Sequence, residues 1–357
     1  MFLEPENLYF PKAGFNWETE NPRTSGWDEG KLAALLHFVG EQNSSSFLVL
    51  HRGKILAEKN WDVSPAKGGA DEGSVKIYRS FQLGVNEDGC PIEDAASTQK
   101  GFTAILAYLA REKGLLDFDD PVAKYLGAGW SLADEAAEAR VTLRHILTMT
   151  TGLNEQLEFE TEPGNKWFYN TPAYQHLIRV IAAAAKTDYQ KLTRAWLTEP
   201  IGMNDTTWLE RTGFPKMNRV TMLGLATTAR DLGRLGLLLL AGGRWGKTNI
   251  INDQARFQQM IQPSQALNPA YGHLWWANGQ NQYIMPLETR KQDGPLWPAA
   301  PDDTVAALGH FGRSLCVCPS LGLVAVRLGY TPRMALQGDP GFIRKLWERL
   351  MAAAPNH

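Results

Sequence analysis

Ser97-Thr98-Gln99-Lys100-Gly101-Phe102-Thr103-Ala104-Ile105-Leu106-Ala107-Tyr108-Leu109 sets a polar pair at the head of an apolar helix. Phe102, Ile105, Leu106 and Leu109 fall at i, i+3, i+4 and i+7, so one helical face is apolar. If the helix begins near Ala96, Ser97 and Lys100 lie on one side of its first turn, because residues three apart are neighbours on a helix. That arrangement can make a nucleophile. A serine hydroxyl is weak at neutral pH and needs an adjacent base. A lysine supplies one when burial or neighbouring cations lower its pKa. The helix start also offers backbone N–H groups and a positive dipole end to a developing oxyanion.

The spacing alone has little specificity, and a polar helix start explains it equally well. A second copy, Ser64-Pro65-Ala66-Lys67, runs into Gly68-Gly69-Ala70-Asp71-Glu72-Gly73. Proline and glycine there mark a loop, with no helix to fix the geometry. Residues 62–75 as a whole read as a polar, Gly-rich surface loop.

Working outward, the 357 residues carry 36 basic and 38 acidic side chains, a net charge of −2. That balance gives no electrostatic reason for a nucleic-acid or membrane-surface partner. Cys90, Cys316 and Cys318 are too few for a disulfide framework, and Cys316 and Cys318 share one face of a strand-like run. The histidines form no H-E-x-x-H or H-x-H, so no metal or other cofactor is expected. No run is long and apolar enough to span a membrane. Met1-Phe2-Leu3-Glu4-Pro5-Glu6 lacks a basic and then an apolar leader segment, which implies a cytoplasmic chain, or a periplasmic or secreted one if a signal was removed before Met1.

Strand signals lie at both ends. Phe47–Leu50, Arg52-Gly53 and Ile55–Ala57 read as a hairpin, as do Leu315–Cys318 and Leu323–Leu328 around Pro319-Ser320-Leu321-Gly322. Amphipathic helices are predicted over Leu32–Val39 and Phe342–Met351, and over Thr227–Leu240 with Thr227 or Thr228 as cap. The middle reads as helical, with segments near 131–139, 142–149, 173–186 and 188–198. The pattern predicts an α+β fold: an antiparallel sheet built from both termini, flanked by N- and C-terminal helices, with a mainly helical insertion. The expected division is a discontinuous sheet domain from 1–113 and 222–357 and a helical domain over 114–221. Gly242-Gly243-Arg244-Trp245-Gly246-Lys247-Thr248 fails as a P-loop, since Ala241 stands at its first glycine and a helix precedes it. G-x-G-x-x-G and G-x-S-x-G are both absent.

Further segments carry a resemblance. They are Gly114-Leu115-Leu116-Asp117-Phe118-Asp119-Asp120-Pro121-Val122, Leu143-Arg144-His145-Ile146-Leu147-Thr148-Met149-Thr150-Thr151-Gly152-Leu153, Glu199-Pro200-Ile201-Gly202-Met203 and Thr227-Thr228-Ala229-Arg230-Asp231-Leu232. In this order, with Ser97-x-x-Lys100, they resemble the serine β-lactamase and penicillin-binding-protein superfamily. The similarity is to its class C-like branch, which also holds esterases, amidases and D-aminopeptidases. The resemblance covers most of the chain and implies a β-lactamase/transpeptidase-like fold with the active site between the two domains.

The family's second motif, Tyr-x-Asn, has its counterpart at Tyr169-Asn170-Thr171, where the asparagine comes one residue early. The resemblance gives Tyr169 a role in relaying the Ser97 proton, and puts Asn170 and Thr171 at the substrate. The third motif, Lys-Thr-Gly, is replaced by His310-Phe311-Gly312. Gly312 would let substrate approach the strand, and the N–H of Arg313 would join that of Ser97 in the oxyanion hole. Trp275 and Trp276, with Phe311, either wall an apolar substrate pocket or belong to the core. The implied activity is that of a serine hydrolase acting on small esters or amides through an acyl group on Ser97. The altered third motif favours an esterase or amidase. The rivals are a β-lactamase or DD-peptidase, and a catalytically silent module that binds an acyl or peptide ligand. Oligomeric state is not legible.

Overall fold

The structure, a computed structural model, describes residues 2–14, 16–63, 72–211, 220–337 and 341–355. Helix α1 (Glu29–Glu41), capped by the Asp28 side chain, precedes the hairpin β1 (Ser44–His51) and β2 (Lys54–Asn60). Helix α2 (Glu72–Phe81) leads into β3 (Gln82–Val85) and β4 (Pro91–Asp94). A 3-10 turn, Ala96–Thr98, runs into α3 (Gln99–Glu112). Short helical segments follow, the longest being α4 (Leu177–Ala185). Then come β5 (Thr207–Glu210), β6 (Leu223–Thr227) and α5 (Ala229–Leu240), which opens on Thr228. The chain closes with β7 (Trp276–Ala277), β8 (Val305–Gly309), β9 (Arg313–Cys318), β10 (Leu323–Gly329) and α6 (Phe342–Ala353).

Six strands form one antiparallel sheet in the order β2-β1-β10-β9-β8-β7. Both chain ends therefore meet at its centre, where β1 pairs with β10. The α+β expectation holds. β1, β9 and β10 are buried along nearly their whole length because helices cover both faces. On one face α5 packs through Gly233 and Gly236, whose missing side chains admit Leu48, Leu50, Leu315 and Val324. Helices α1 and α6 pack on each other, and Trp347 of α6 is fully buried beside Cys316. The three cysteines are buried and free.

Two features differ from the sequence reading. The span expected as a loop over 62–75 gives way to α2 from Glu72; its Ser64–Lys67 portion lies outside the described residues. A second antiparallel sheet, β3-β4-β6-β5, also forms. Its β3 edge strand is exposed throughout and so carries no alternating pattern to read.

Helix α3 is the centre of the fold. The sequence marks one apolar face, yet every residue from Gln99 to Ala110 is buried. The other faces are lined by small residues that let neighbours approach. At Gly101 a Cβ would lie 2.7 Å from the Trp275 ring and 3.0 Å from the Ala307 side chain. Gly101→Ala is therefore expected to destabilise by about 1–3 kcal/mol, the overpacking cost outweighing a gain of ~1 kcal/mol in helix propensity. Urea denaturation measures it, and an unchanged or raised midpoint would refute the close packing.

Candidate active site

Ser97 is held by a strained turn. Ala95 N–H donates to Leu225 O of β6 at 2.8 Å, and Ala96 N–H donates to Asp94 Oδ1 at 2.8 Å. Between these anchors Ala96 has φ +52°, a left-handed conformation that costs a non-glycine residue about 1–2 kcal/mol. Asp94 is itself fixed by a buried pair with Arg211, Nε to Oδ2 2.6 Å. The first helical turn then brings Lys100 Nζ to 3.0 Å from Ser97 Oγ.

Lys100 is 2% exposed, and its other hydrogen bond is to Thr171 Oγ1 at 3.2 Å. The rings of Tyr169 and Tyr174 each lie 4.6 Å from Nζ. Among the described residues no carboxylate pairs with it. Burial, and secondarily the Arg211 charge, hold its pKa well below the ordinary lysine value. Tyr169 moves the other way. Burial pushes its phenol up to about 12, and its hydrogen bond with the Ser97 side chain pulls against that shift. The cluster thus contains a serine hydroxyl, a lysine whose burial favours the neutral amine over the ammonium, and a phenol that stays protonated at neutral pH.

The Tyr169 loop is positioned from below. Phe168 N–H donates to Met149 O at 2.8 Å. Asn170 caps the short helix Thr171–Tyr174, its Oδ1 accepting from Ala173 N–H at 2.9 Å, while Nδ2 donates to Leu153 O and Asn154 O. Asn170 is 1% exposed and spent on backbone, so it does not reach substrate, contrary to the sequence expectation. Thr171 occupies the third position of the motif and lines the cleft as well as holding Lys100.

These groups open on a cleft of about 800 Å³. Ser97, Tyr169, Thr171, His310, Gly312 and Trp276 all line it. Phe168, Met285, Ile343 and the exposed Leu132 and Leu287 make much of its lining apolar, and Glu155, Gln156 and Arg313 border it as well. Trp275 is not part of it. Trp275, just before β7, packs against Gly101, while Trp276, the first residue of β7, stacks over Tyr169 with ring centres 6.3 Å apart.

The His310–Gly312 turn departs from expectation in two places. Phe311 has φ +64°, and its ring leaves the cleft for a separate cluster with Tyr78, Phe81 and Tyr330. The N–H of Arg313 donates to His310 O, so the turn itself consumes the donor assigned to the oxyanion. The Arg313 side chain forms a buried pair with Glu93, Nη2 to Oε2 2.6 Å, which leaves no free cation there. His310 is kept neutral by burial and by the Arg313 and Arg211 charges, which lower its pKa. Gly309, unremarked in the sequence, lies tight against the Ala95–Thr98 turn that holds Ser97. A Cβ on it would meet Thr98 Oγ1 at 2.7 Å, Ala95 O at 2.8 Å and Thr98 N at 3.1 Å. Tyr174, also unremarked, walls Lys100 and bonds Thr103 at 2.7 Å. Close backbone approach marks Gly309 and long-range side-chain contacts mark Tyr174, and neither is visible in one sequence.

The described residues contain no group of histidine, cysteine and carboxylate side chains suited to a metal ion, and no helix long and apolar enough to cross a membrane. Among solved structures the chain is similar to a β-lactamase/D-alanine carboxypeptidase from Pseudomonas syringae (TM-score 0.62, 17% identity, 92% of this chain and 99% of that one). It is also similar to a Bacillus anthracis protein whose proposed activity is 6-aminohexanoate-dimer hydrolysis (TM-score 0.63, 16% identity, 98% of this chain and 88% of that one). An uncharacterised protein of Alkalihalophilus pseudofirmus is 22% identical over 308 residues, 80% of this chain and 83% of its own length. The beta-lactamase family model matches residues 42–331, a span that takes in the six-stranded sheet, the helical stretch and all of the cleft lining but Ile343, and on that match the chain belongs to the beta-lactamase family.

Proposed function

We propose that this member of a hydrolase family cleaves esters or amides of small, uncharged substrates through an acyl group on Ser97. One observation carries the reading: a buried lysine amine, without a carboxylate partner, 3.0 Å from a serine hydroxyl that faces an apolar cleft. Lys100 accepts the Ser97 proton as Oγ attacks the carbonyl carbon. Tyr169, neutral because its pKa is raised, gives its proton to the departing oxygen or nitrogen and regains one from the Lys100 ammonium. Water then attacks the acyl carbon, its proton passes to Lys100, and Ser97 Oγ leaves reprotonated. The oxyanion donors are assigned to the N–H of Ser97 and that of His310. His310 follows Gly309 directly against the nucleophile turn, and as the first residue of a 3-10 turn its N–H has no partner within that turn. The sheet portion (1–113 and 222–357) would supply Ser97, Lys100 and His310, and the helical portion (114–221) Tyr169 and Thr171.

Substrate class follows from charge. Among the described residues the cleft offers no free cation to a carboxylate: Lys100 is driven towards its neutral form, the pKa of His310 is lowered, and Arg313 is bound to Glu93. A site lacking the partner for a polar group discriminates against ligands that carry it. The similarity to the β-lactamase/D-alanine carboxypeptidase supports acyl transfer in general, and that to the proposed amide hydrolase keeps amides beside esters.

Three outcomes are expected. Ser97→Ala should lower p-nitrophenyl butyrate turnover by about 10³-fold or more, Lys100→Ala nearly as much, the double variant little further, and Tyr169→Phe about 10²-fold. Ser64→Ala should do little. Full activity in Ser97→Ala would end the proposal, and full activity in Tyr169→Phe would make the tyrosine structural. The pH profile tests the base. Protonation of Lys100 removes the proton acceptor, and its lowered pKa moves that loss to the acid side. kcat/KM should therefore fall as pH drops below an inflection well under the ordinary lysine value of 10.5, with no rise across pH 9–11. A single inflection near 10.5 would refute the assignment. Finally, kcat/KM for p-nitrophenyl butyrate should exceed that for nitrocefin on one preparation at neutral pH. The reverse order would put the β-lactamase reading first.

A further inference from the structure

The His310–Gly312 turn carries two consecutive left-handed residues, Phe311 at φ +64° and Gly312 at φ +72°. Something outside the turn must hold it. Arg327, on β10, sits opposite Phe47 and Ser314 in the sheet and is completely buried. One guanidinium nitrogen, Nη1, donates to Phe311 O. Nη2 donates to Gln42 O at 2.8 Å, Asn43 O at 3.0 Å and Tyr330 O at 2.6 Å, and Nε donates to Ser44 Oγ at 2.9 Å. No ion pair with a carboxylate forms at Arg327 among the described residues. A buried cation left without a counter-ion is costly, so its partners define what it is there to do. Here every acceptor but one is a backbone carbonyl, and one of those carbonyls belongs to the strained residue beside His310.

We propose that Arg327 is a positioning residue: by gripping the Phe311 carbonyl against the β1 entry strand, it fixes the left-handed turn that aims the His310 N–H at the acyl oxygen. This rests on the serine-hydrolase reading above. The second grip on the turn, Arg313 Nη1 to His310 O, is long at 3.4 Å, and the Phe311 ring only packs among Tyr78, Phe81 and Tyr330. Removal of the Arg327 contact therefore lets the turn relax without opening the cleft wall formed by Trp276 and Phe168. Ser97, Lys100 and Tyr169 lie on other elements and would keep their geometry.

A donor that points at a developing oxyanion has a specific signature. It stabilises an oxygen ester's transition state far better than that of a thiono ester, whose C=S sulfur is a poor acceptor. The experiment compares p-nitrophenyl butyrate with its thiono analogue on the parent, Arg327→Lys and Ser44→Ala. Arg327→Lys keeps the charge and loses the fork. It is expected to lower kcat for the oxygen ester by about tenfold or more with KM within about threefold, and to lower the oxygen-to-thiono kcat ratio by about tenfold. Ser44→Ala removes one guanidinium acceptor and spares every carbonyl bond, and should lower the ratio about threefold. Parallel losses on both substrates, or an unchanged ratio in a folded Arg327→Lys, overturn the inference. If Arg327→Lys does not fold, Ser44→Ala decides alone, and an unchanged ratio there is equally fatal. A parent without ester turnover fails the hydrolase reading and takes this inference with it. An active parent with unaltered ratios in the variants fails only this one.

Discussion

A lysine amine sealed beside a serine hydroxyl, with no carboxylate to pair with it, is the constraint on which the rest of this structure depends. A charged ammonium in such a place is penalised by lost hydration, which lowers its pKa and favours the neutral amine. The seal must therefore be complete. It is made by burying α3 on all sides, by the rings of Tyr169 and Tyr174 over Nζ, and by Thr171, which accepts a hydrogen bond without adding charge. An aspartate at position 171 would satisfy the same hydrogen bond and restore the positive charge.

The seal also explains the arrangement of the sheet. Helix α3 can be central only if β8 and the Trp275 segment come close to it, and each approach is made at a glycine. Gly101 admits Trp275 and Ala307; Gly309 admits the Ala95–Thr98 backbone. Glycine matters here for the Cβ it lacks. The same closeness puts a strand end within reach of the nucleophile, so packing and chemistry impose one requirement on these positions.

Much of this was legible in the chain. The i, i+3, i+4, i+7 pattern after Ser97 marks the helix, and two hairpin signals at opposite ends mark an antiparallel sheet closed by both termini. What escaped has physical causes. Trp275 and Trp276 part at the start of β7, and a strand of two residues, Trp276–Ala277, gives no period from which to tell the faces. Asn170 beside a tyrosine looks like a ligand-binding amide, yet it precedes Thr171-Pro172 at a helix start, where asparagine is a favoured cap. For Phe311 the sequence leaves pocket wall and core both open, and the structure puts its ring in a separate buried cluster with Tyr78, Phe81 and Tyr330. A left-handed phenylalanine is rare, and nothing local announces it; its cause, Arg327, lies sixteen positions away.

Two further arginines complete the electrostatic picture. Arg211 and Arg313 each hold a buried carboxylate, Asp94 and Glu93, behind the cleft. Their charges still depress the pKa of His310, and Arg211 that of Lys100. Arg313 borders the cleft, but both guanidinium groups are held in ion pairs with their side chains almost fully buried, so neither is presented to a ligand. The protein thereby separates two effects that a cation at position 310 would combine: assistance to a neutral lysine base, and attraction for an anionic substrate. It keeps the first and omits the second. If the oxyanion donors are backbone groups, as proposed, the sequence at His310-Phe311 is free to vary as long as the turn survives. Selectivity and turnover become separable, one set by which charges reach the cleft, the other by how firmly the fold holds a few main-chain atoms.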